Sequence, residues 1–268
     1  MSPKNSPQEV WFLTGSQELY GQATLDKVAE HSREIAAFLD SSGKIPARVV
    51  WKNTLTGPDA ITDLCLQASA TPACIGVITW MHTFSPAKMW IRGLTQLTKP
   101  LAHLHTQYNC ELPWSEIDMD FMNLNQSAHG DREYGFIAAR LRLDRKIVVG
   151  HWKDDEVIDE LANWTRVALA VAESRKLKIV HFGGMNMREV SVTGGDRVEA
   201  QIQLGWATNG YAVGDLVKRI AEVSDAQVDR LIEEYEAQYT LASALRKGGA
   251  KRESLRDAAR QEIGMRAF

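Results

Sequence analysis

Short apolar runs alternate with segments of helical periodicity over the first two thirds of the chain, and this alternation constrains the fold most strongly. The runs that predict strands are Val10–Thr14, Ala47–Trp51, Ala73–Thr79, Leu101–Thr106 and Lys146–Gly150. The segments that predict helices are Ala23–Leu39, Pro58–Ala70, Ser85–Leu97, Ser127–Leu143 and Asp154–Ser174. Strands and helices of these lengths in alternation form βαβ units. We therefore predict an α/β fold with a doubly wound parallel sheet, a three-layer arrangement of Rossmann or flavodoxin type.

The pattern changes beyond the last of these helices. Lys178–Phe182 predicts one more strand. Val190–Val192 and Val198–Leu204 flank Gly194-Gly195-Asp196, which predicts a hairpin, and the chain becomes mostly helical and charged from Val213 onward. The predicted organisation is an N-terminal α/β domain over residues 1–176 and an incomplete middle α/β domain over residues 177–268.

Composition excludes several classes of protein. Apolar residues make up 44% of the chain, charged residues 24%, and the net charge is -3. This balance is typical of a globular protein and is not basic enough to indicate nucleic-acid binding. Three cysteines without a CxxC pair favour a reducing compartment. No stretch approaches eighteen apolar residues, so we expect a cytoplasmic protein without a membrane segment.

Polar and aromatic side chains follow the predicted strands at their carboxyl ends. In a doubly wound sheet these ends form one edge, outside which ligands bind. The residues expected at this edge are Gln17, Tyr20, His82, Phe84, His105, Gln107 and His151. Five of the seven histidines also lie between residues 82 and 151. This edge is therefore the predicted functional region, although each residue taken singly also has a structural explanation.

The segment before the fourth predicted helix carries chemically varied side chains. Gln126, His129 and Glu133 share one face if this part is helical, and together they could contact sugar hydroxyls or move protons. The alternative is a helix that begins with Ser127 as its N-cap and leaves His129 as a solvated surface residue. Spacing alone favours this alternative.

Two histidines lie two residues apart on one predicted strand. His103 and His105 therefore point the same way and could share a metal ion, although structural histidines beside an apolar core are the commoner explanation. The chain has no HExxH, GxxxxGK[ST] or GxSxG motif, and GSQELYG is not GxGxxG. Zinc-protease, P-loop and dinucleotide-binding functions are therefore unsupported.

Several long motifs resemble those of L-arabinose isomerase and occur in the same order over essentially the whole chain. The first is VWFLTGSQELYG at residues 10–21, followed by WMHTFSPAKMW at 80–90 and KPLAHLHTQYN at 99–109. Then come PWSEIDMDFMNLNQSAHGDREYG at 113–135, RKIVVGHW at 145–152 and VGDLV at 213–217. The chain is identified on these motifs as a member of that family.

The resemblance implies a cytoplasmic aldose–ketose isomerase that converts L-arabinose to L-ribulose, and in many members D-galactose to D-tagatose. Such enzymes use a divalent metal, typically manganese, and an enediol route in which two glutamates shuttle protons. They assemble as hexamers, in which the N-terminal domain of one subunit completes its neighbour's active site.

The resemblance also implies which residues contact the sugar. They are Gln17, Leu19, Tyr20, Phe84, Gln126, His129 and Met187. Met187 lies in HFGGMNMR, where the family usually reads Arg-Phe-Gly-Asp-Asn-Met-Arg, so this segment is one residue longer and lacks the acid. With the family as guide, ligand contact becomes the favoured role for His129.

The family's metal ligands, two glutamates and two histidines that include the catalytic carboxylates, are expected beyond Phe268. No catalytic or metal-binding residue is therefore assigned within this chain. Two alternatives to an isomerase with an incomplete chain stay open. One is a non-catalytic sugar-binding or assembly module without the metal centre. The other is a short isomerase with a metal site built from local groups, drawn from His82, His103, His105, His129, Asp118, Asp120 and Glu133.

Overall fold

The computed structural model describes residues 8–183 and 195–268. The chain divides into two compact units, the first ending at Glu173 and the second running from Ser174 to Phe268. In the part of the chain that is described, no helix is both long enough and apolar enough to cross a membrane.

The first unit contains a five-stranded sheet in the order β2-β1-β3-β4-β5, and every neighbouring pair is parallel. Its strands are β1 Glu9–Gly15, β2 Arg48–Leu55, β3 Cys74–Met81, β4 Leu101–His105 and β5 Arg145–Val149. The α-helices are α1 Gly21–Ser41, α2 Pro58–Ala70, α3 Ile91–Gln96, α4 Met119–Asn123, α5 Ser127–Arg140 and α6 Asp155–Ser174, with 3-10 turns at Glu18–Tyr20 and Ala87–Trp90. The prediction of a doubly wound parallel sheet is confirmed.

The sheet is covered on both faces because successive strand residues alternate between two apolar cores. One core joins Phe12 and Trp80 to α1 and α6. The other joins Leu13 and Met81 to α2 and to Tyr134 of α5. All eight residues of β3 are buried, as expected for a central strand in a three-layer fold.

The second unit holds a parallel pair of strands, β6 Lys178–Phe182 and β7 Ala207–Tyr211. Its helices are α7 Arg197–Leu204, α8 Val213–Ala221, α9 Asp225–Gln238 and α10 Arg252–Ala267, with a 3-10 turn at Ser243–Leu245. A small core of Val228, Leu231, Ile232 and Ala259 forms between α9 and α10. This unit is α/β in character, as predicted.

The predicted hairpin around Gly194-Gly195-Asp196 is wrong, because residues 197–204 form α7. The Asp196 carboxylate accepts hydrogen bonds from the backbone N–H groups of Val198 and Glu199, which makes it an N-cap. Gly205, in the left-handed conformation at φ 80°, ends the helix. The other proposed arm, Val190–Val192, lies outside the described residues.

Two predicted helix starts also differ from the structure. Ser85 does not cap a helix, since its hydroxyl accepts from the indole N–H of Trp90 at 3.0 Å and the chain first makes a 3-10 turn. Ser127 is not the N-cap of α5, because Gln126 occupies that position. The Ser127 hydroxyl instead donates to the backbone carbonyl of His82 at 3.3 Å, which ties α5 to the end of β3.

Candidate functional site

The direction in which successive strands are added reverses between β1 and β3, the two central neighbours in the order β2-β1-β3-β4-β5. In doubly wound folds the loops that leave the strands at such a reversal diverge, and ligands bind in the crevice between them. The loop after β1 begins at Ser16, and the loop after β3 begins at His82. The crevice forms the centre of the candidate site.

A buried hydrogen bond fixes the floor of this crevice. The hydroxyls of Ser16 and Thr83 lie 2.7 Å apart, and neither side chain is exposed. Gly15 allows the close approach, because a Cβ there would lie 2.7 Å from the Ser85 hydroxyl. The first residues of both loops are therefore held rigidly against one another.

The start of α5 meets both loops above this floor. The Tyr20 hydroxyl donates to the Gln126 side-chain carbonyl at 3.3 Å. The rings of Phe84 and His129 stack, with centroids 4.6 Å apart and planes inclined by 22°. Four of the seven residues expected to contact sugar are thus paired across three segments that are distant in sequence.

The remaining three expected sugar contacts differ in position. Gln17 is half-buried beside the floor, and Leu19 is 84% exposed in the 3-10 turn after β1. Met187 lies outside the described residues. Glu133, predicted to share a helix face with His129, is exposed.

A second polar group lies beneath the loop after β3. The His82 ring is fully buried, its Nε2 lies 2.8 Å from Nδ1 of His31 on α1, and it stacks on Trp80. His31 in turn stacks on Tyr108 with ring centroids 3.5 Å apart. Burial lowers the pKa of His82 to about 3, since no solvent stabilises its charged form.

A third polar group joins β4 to α5. His103 Nε2 lies 2.6 Å from Asp131 Oδ1, and both side chains are buried. His103 Nδ1 lies 3.2 Å from Nε2 of His105, and Nδ1 of His105 lies 3.7 Å from Asp131 Oδ2. Burial raises the pKa of Asp131 to about 8 and lowers that of His103 to about 3, so both neutral forms are favoured.

An open cavity of about 500 Å³ lies beside this third group, at the carboxyl ends of β4 and β5. Its lining residues are His105, Thr106, Gln107, Asn109, Cys110, Leu112, Ser127, Ala128, Asp131, Val149, Gly150 and His151. Asp131 and His105 therefore connect a buried hydrogen-bond network to accessible space.

The metal centre that the resemblance implies requires carboxylate and imidazole donors that lie close together. Within residues 8–183 and 195–268, one group of three potential metal-binding side chains has ligand atoms within 4.8 Å of one another. It consists of His103, His105 and Asp131. One carboxylate and two imidazoles do not match two glutamates and two histidines. The catalytic metal set does not fit these residues, and no reaction step is assigned to them.

The local metal site considered from sequence is also wrong in its choice of acids. Asp118 is the N-cap of α4, where its carboxylate accepts from the Phe121 backbone N–H at 2.8 Å, and Asp120 is exposed. The acid that joins the histidines is Asp131. Asp131 recurs at helical spacing with Ser127, Tyr134 and Ala138, and all four are buried on one face of α5. This periodicity is the sequence signal that could have indicated the burial of Asp131.

His31 is the other residue that the sequence analysis missed. It lies in the middle of α1, 51 residues before its partner His82. Its neighbours Ser32 and Ile35 are buried, so its own contact with the core follows from helical periodicity, but its pairing with His82 does not.

Comparison with known proteins gives consistent matches over the whole chain. The family model described as L-arabinose isomerase N-terminal domain matches residues 4–176, and the one described as L-arabinose isomerase central domain matches residues 178–268. A relative from Herpetosiphon aurantiacus named L-arabinose isomerase is 60% identical over 260 residues, which is 97% of this chain and 52% of the relative.

Two further relatives carry the same name. The one from Geobacillus stearothermophilus is 58% identical over 262 residues, covering 98% of this chain and 53% of the relative. The one from Mycolicibacterium smegmatis is 53% identical over 268 residues, covering 100% of this chain and 53% of the relative. The chain thus spans about half the length of the curated relatives it matches.

Proposed function

The chain belongs to the L-arabinose isomerase family, and from this premise we propose that it supplies the sugar-contacting part of an enzyme that converts L-arabinose to L-ribulose. The observation that carries the proposal is the meeting of Tyr20 with Gln126 and of Phe84 with His129 at the crevice between β1 and β3. The strand-end rule and the family resemblance independently indicate Gln17, Tyr20 and Phe84, whereas Gln126 and His129 are assigned to the sugar by the resemblance.

These side chains have the chemistry that a pentose requires. The Tyr20 hydroxyl and the Gln126 amide provide both donors and acceptors, and His129 adds a ring nitrogen for hydroxyl recognition. The Phe84 ring presents an apolar face to the C–H groups of a sugar. Gln17 and Leu19 extend the same surface, and we assign Met187 to it by the family resemblance alone.

The floor made by Ser16 and Thr83 contributes positioning. Because these hydroxyls are buried and bonded to each other, the loops that carry Tyr20 and Phe84 start from fixed points. A ligand then finds contacts already in place, and less binding free energy is lost in ordering the loops.

The proposed reaction requires a divalent metal, Mn²⁺ by family resemblance, which supplies Lewis-acid polarisation of the sugar oxygens when bound. The described residues do not provide the family's ligand set, so their role in the proposal is to bind and orient the sugar. The proposal also includes D-galactose as a second substrate, a hexamer with active sites shared between subunits, and a cytoplasmic location.

A chimaera tests the proposed function. In it, this chain replaces the matched half of the Geobacillus stearothermophilus relative, and L-ribulose formation is measured with and without Mn²⁺. We expect metal-dependent turnover by the chimaera. Phe84→Ala should lower kcat/KM by about tenfold and Tyr20→Phe by about fivefold, as expected for one lost ring contact and one lost hydrogen bond. Phe136→Ala, an exposed aromatic on α5, is the matched control and should leave kcat/KM unchanged.

The alternatives give different results in the same assay. A chimaera that binds L-arabinose but forms no ketose would indicate a non-catalytic sugar-binding module. Turnover by the 268-residue chain alone would favour a metal site built from its own residues. Equal losses in Phe84→Ala and Phe136→Ala would refute the proposed sugar contact.

A further inference from the structure

We propose that His105 and Asp131 bind a divalent transition-metal ion such as Zn²⁺ at the wall of the cavity beside β4 and β5, with His103 orienting the carboxylate. His105 is the last residue of β4 and Asp131 lies in α5, and both side chains line the cavity. Their partner His103 is fully buried behind them.

The directions of the hydrogen bonds support this site. Without a metal the neutral form of Asp131 is favoured, whereas a bound cation stabilises the ionised form. The ionised carboxylate can only accept, so in that form His103 Nε2 carries the hydrogen that bridges to Oδ1 at 2.6 Å. His103 Nδ1 is then an acceptor, and Nε2 of His105 must donate to it at 3.2 Å. This leaves Nδ1 of His105 with a free lone pair.

The free lone pair of His105 Nδ1 faces a lone pair of the Asp131 carboxylate. Nδ1 of His105 lies 3.7 Å from Asp131 Oδ2, and neither atom can donate a hydrogen to the other in this arrangement. Two ligands on one tetrahedral Zn²⁺ ion are about 3.4 Å apart, given metal–ligand distances near 2.0–2.2 Å. A small inward shift of the half-exposed His105 ring therefore suffices to complete the pair around an ion.

A site with two protein ligands needs further donors to complete the coordination of the ion, and its surroundings supply them. The cavity of about 500 Å³ admits water or a small anion to the remaining coordination positions. In the described part of the chain, the side-chain oxygen of Gln107 is buried without a hydrogen-bond partner, and Gln107 lines the same cavity. The bond from His103 to Asp131 is the kind of supporting contact that orients metal-binding carboxylates.

His151 provides a matched control because it lines the same cavity without a free ring nitrogen. Its Nδ1 accepts from the Lys153 backbone N–H at 3.3 Å, and its Nε2 lies 3.3 Å from the Tyr108 backbone carbonyl. Both ring nitrogens are thus already bonded. Substitution of His151 should leave metal binding intact.

The test is a titration of the metal-free 268-residue chain with Co²⁺, followed by its visible absorption, and then displacement by Zn²⁺. We expect one equivalent of tetrahedral Co²⁺ per chain. His105→Asn and Asp131→Asn should weaken binding by at least 100-fold, and His103→Gln by about 10–100-fold, as for other supporting contacts. His151→Gln should bind like the unmodified chain.

Several results would overturn the proposal. One is the absence of saturable Co²⁺ or Zn²⁺ binding by the unmodified chain. Another is equal binding by the unmodified chain and His105→Asn, which would place the ion elsewhere, for instance at exposed His129. Loss of binding in His151→Gln would do the same. Thermal unfolding checks that each variant is folded. If Asp131→Asn does not fold, metal binding by His105→Asn alone tests the proposal.

Discussion

His82 should make the stability of the first unit depend on pH in a way that one substitution removes. Its pKa is lowered to about 3 by burial, whereas an unfolded histidine titrates near 6.5. As pH falls below 6.5, the unfolded chain binds a proton that the folded chain does not. Stability is therefore fully present above pH 6.5 and is lost progressively as pH falls towards 3.

The size of the effect follows from the two pKa values. Between pH 7.5 and 5.5, one such histidine should lower the free energy of unfolding by about 1.4 kcal/mol. His103 adds a change of the same sign. Asp131 adds the opposite sign, because a raised carboxyl pKa removes stability as pH rises through about 8. Comparing the unmodified chain with His82→Gln isolates the contribution of His82, because the other groups remain in both.

The assay is urea unfolding followed by tryptophan fluorescence at pH 7.5, 6.5 and 5.5. Seven of the eight tryptophans lie before residue 174, so the signal reports on the first unit. His82→Gln should lose about 1–1.5 kcal/mol less than the unmodified chain over this pH range. Ile78→Val, a buried change in β3, the strand that His82 follows, should lower stability by about 0.5–1.5 kcal/mol at every pH and leave the pH dependence unchanged. Identical pH dependence in the unmodified chain and His82→Gln would refute the reasoning.

Three substitutions test packing and capping. Gly130→Ala should lower the free energy of unfolding by about 1–3 kcal/mol, because the new Cβ would lie 2.9 Å from Met81 Cβ in β3. Thermal unfolding measures this loss of stability. Gly76→Ala should cost a similar amount in the same measurement, since its Cβ would lie 2.8 Å from the Trp164 ring. Ser224→Ala removes the capping box of α9 and should cost about 0.5–2 kcal/mol, read from urea unfolding followed by circular dichroism. Gly214→Ala, with no atom within 4 Å of its Cβ, is the control and should not destabilise; comparable losses there would contradict the packing explanation.

The sequence predicted the sheet well because its central strands have a simple physical signature. β3 is apolar along nearly its whole length, as expected for a strand buried on both faces. The edge that carries Tyr20 and Phe84 followed from the predicted carboxyl ends of the strands, whereas the strand order came only from the structure. Topology is thus readable from local patterns when each pattern has one dominant cause.

The errors have equally specific causes. Gly194-Gly195-Asp196 looked like a turn between two strands, but Asp196 caps a helix. Apolar and polar residues alternate over Val198–Leu204, which favours a strand, yet this segment is helical. Asp131 was missed from the sequence, although it lies on the buried face of its helix. Its burial depends on His103, 28 residues earlier on another element, and no local pattern contains that partner.

The hydrogen bond between Ser16 and Thr83 separates two kinds of position along each loop. Residues up to this bond are constrained by the sheet, whereas the side chains just beyond it, at 17–20 and at Phe84, are partly or largely exposed. On the proposed function, substitutions beyond the bond change which ligand is recognised while the strands stay in register. Mutation can therefore change ligand preference while the chain still folds, because ligand preference and folding depend on adjacent but different residues.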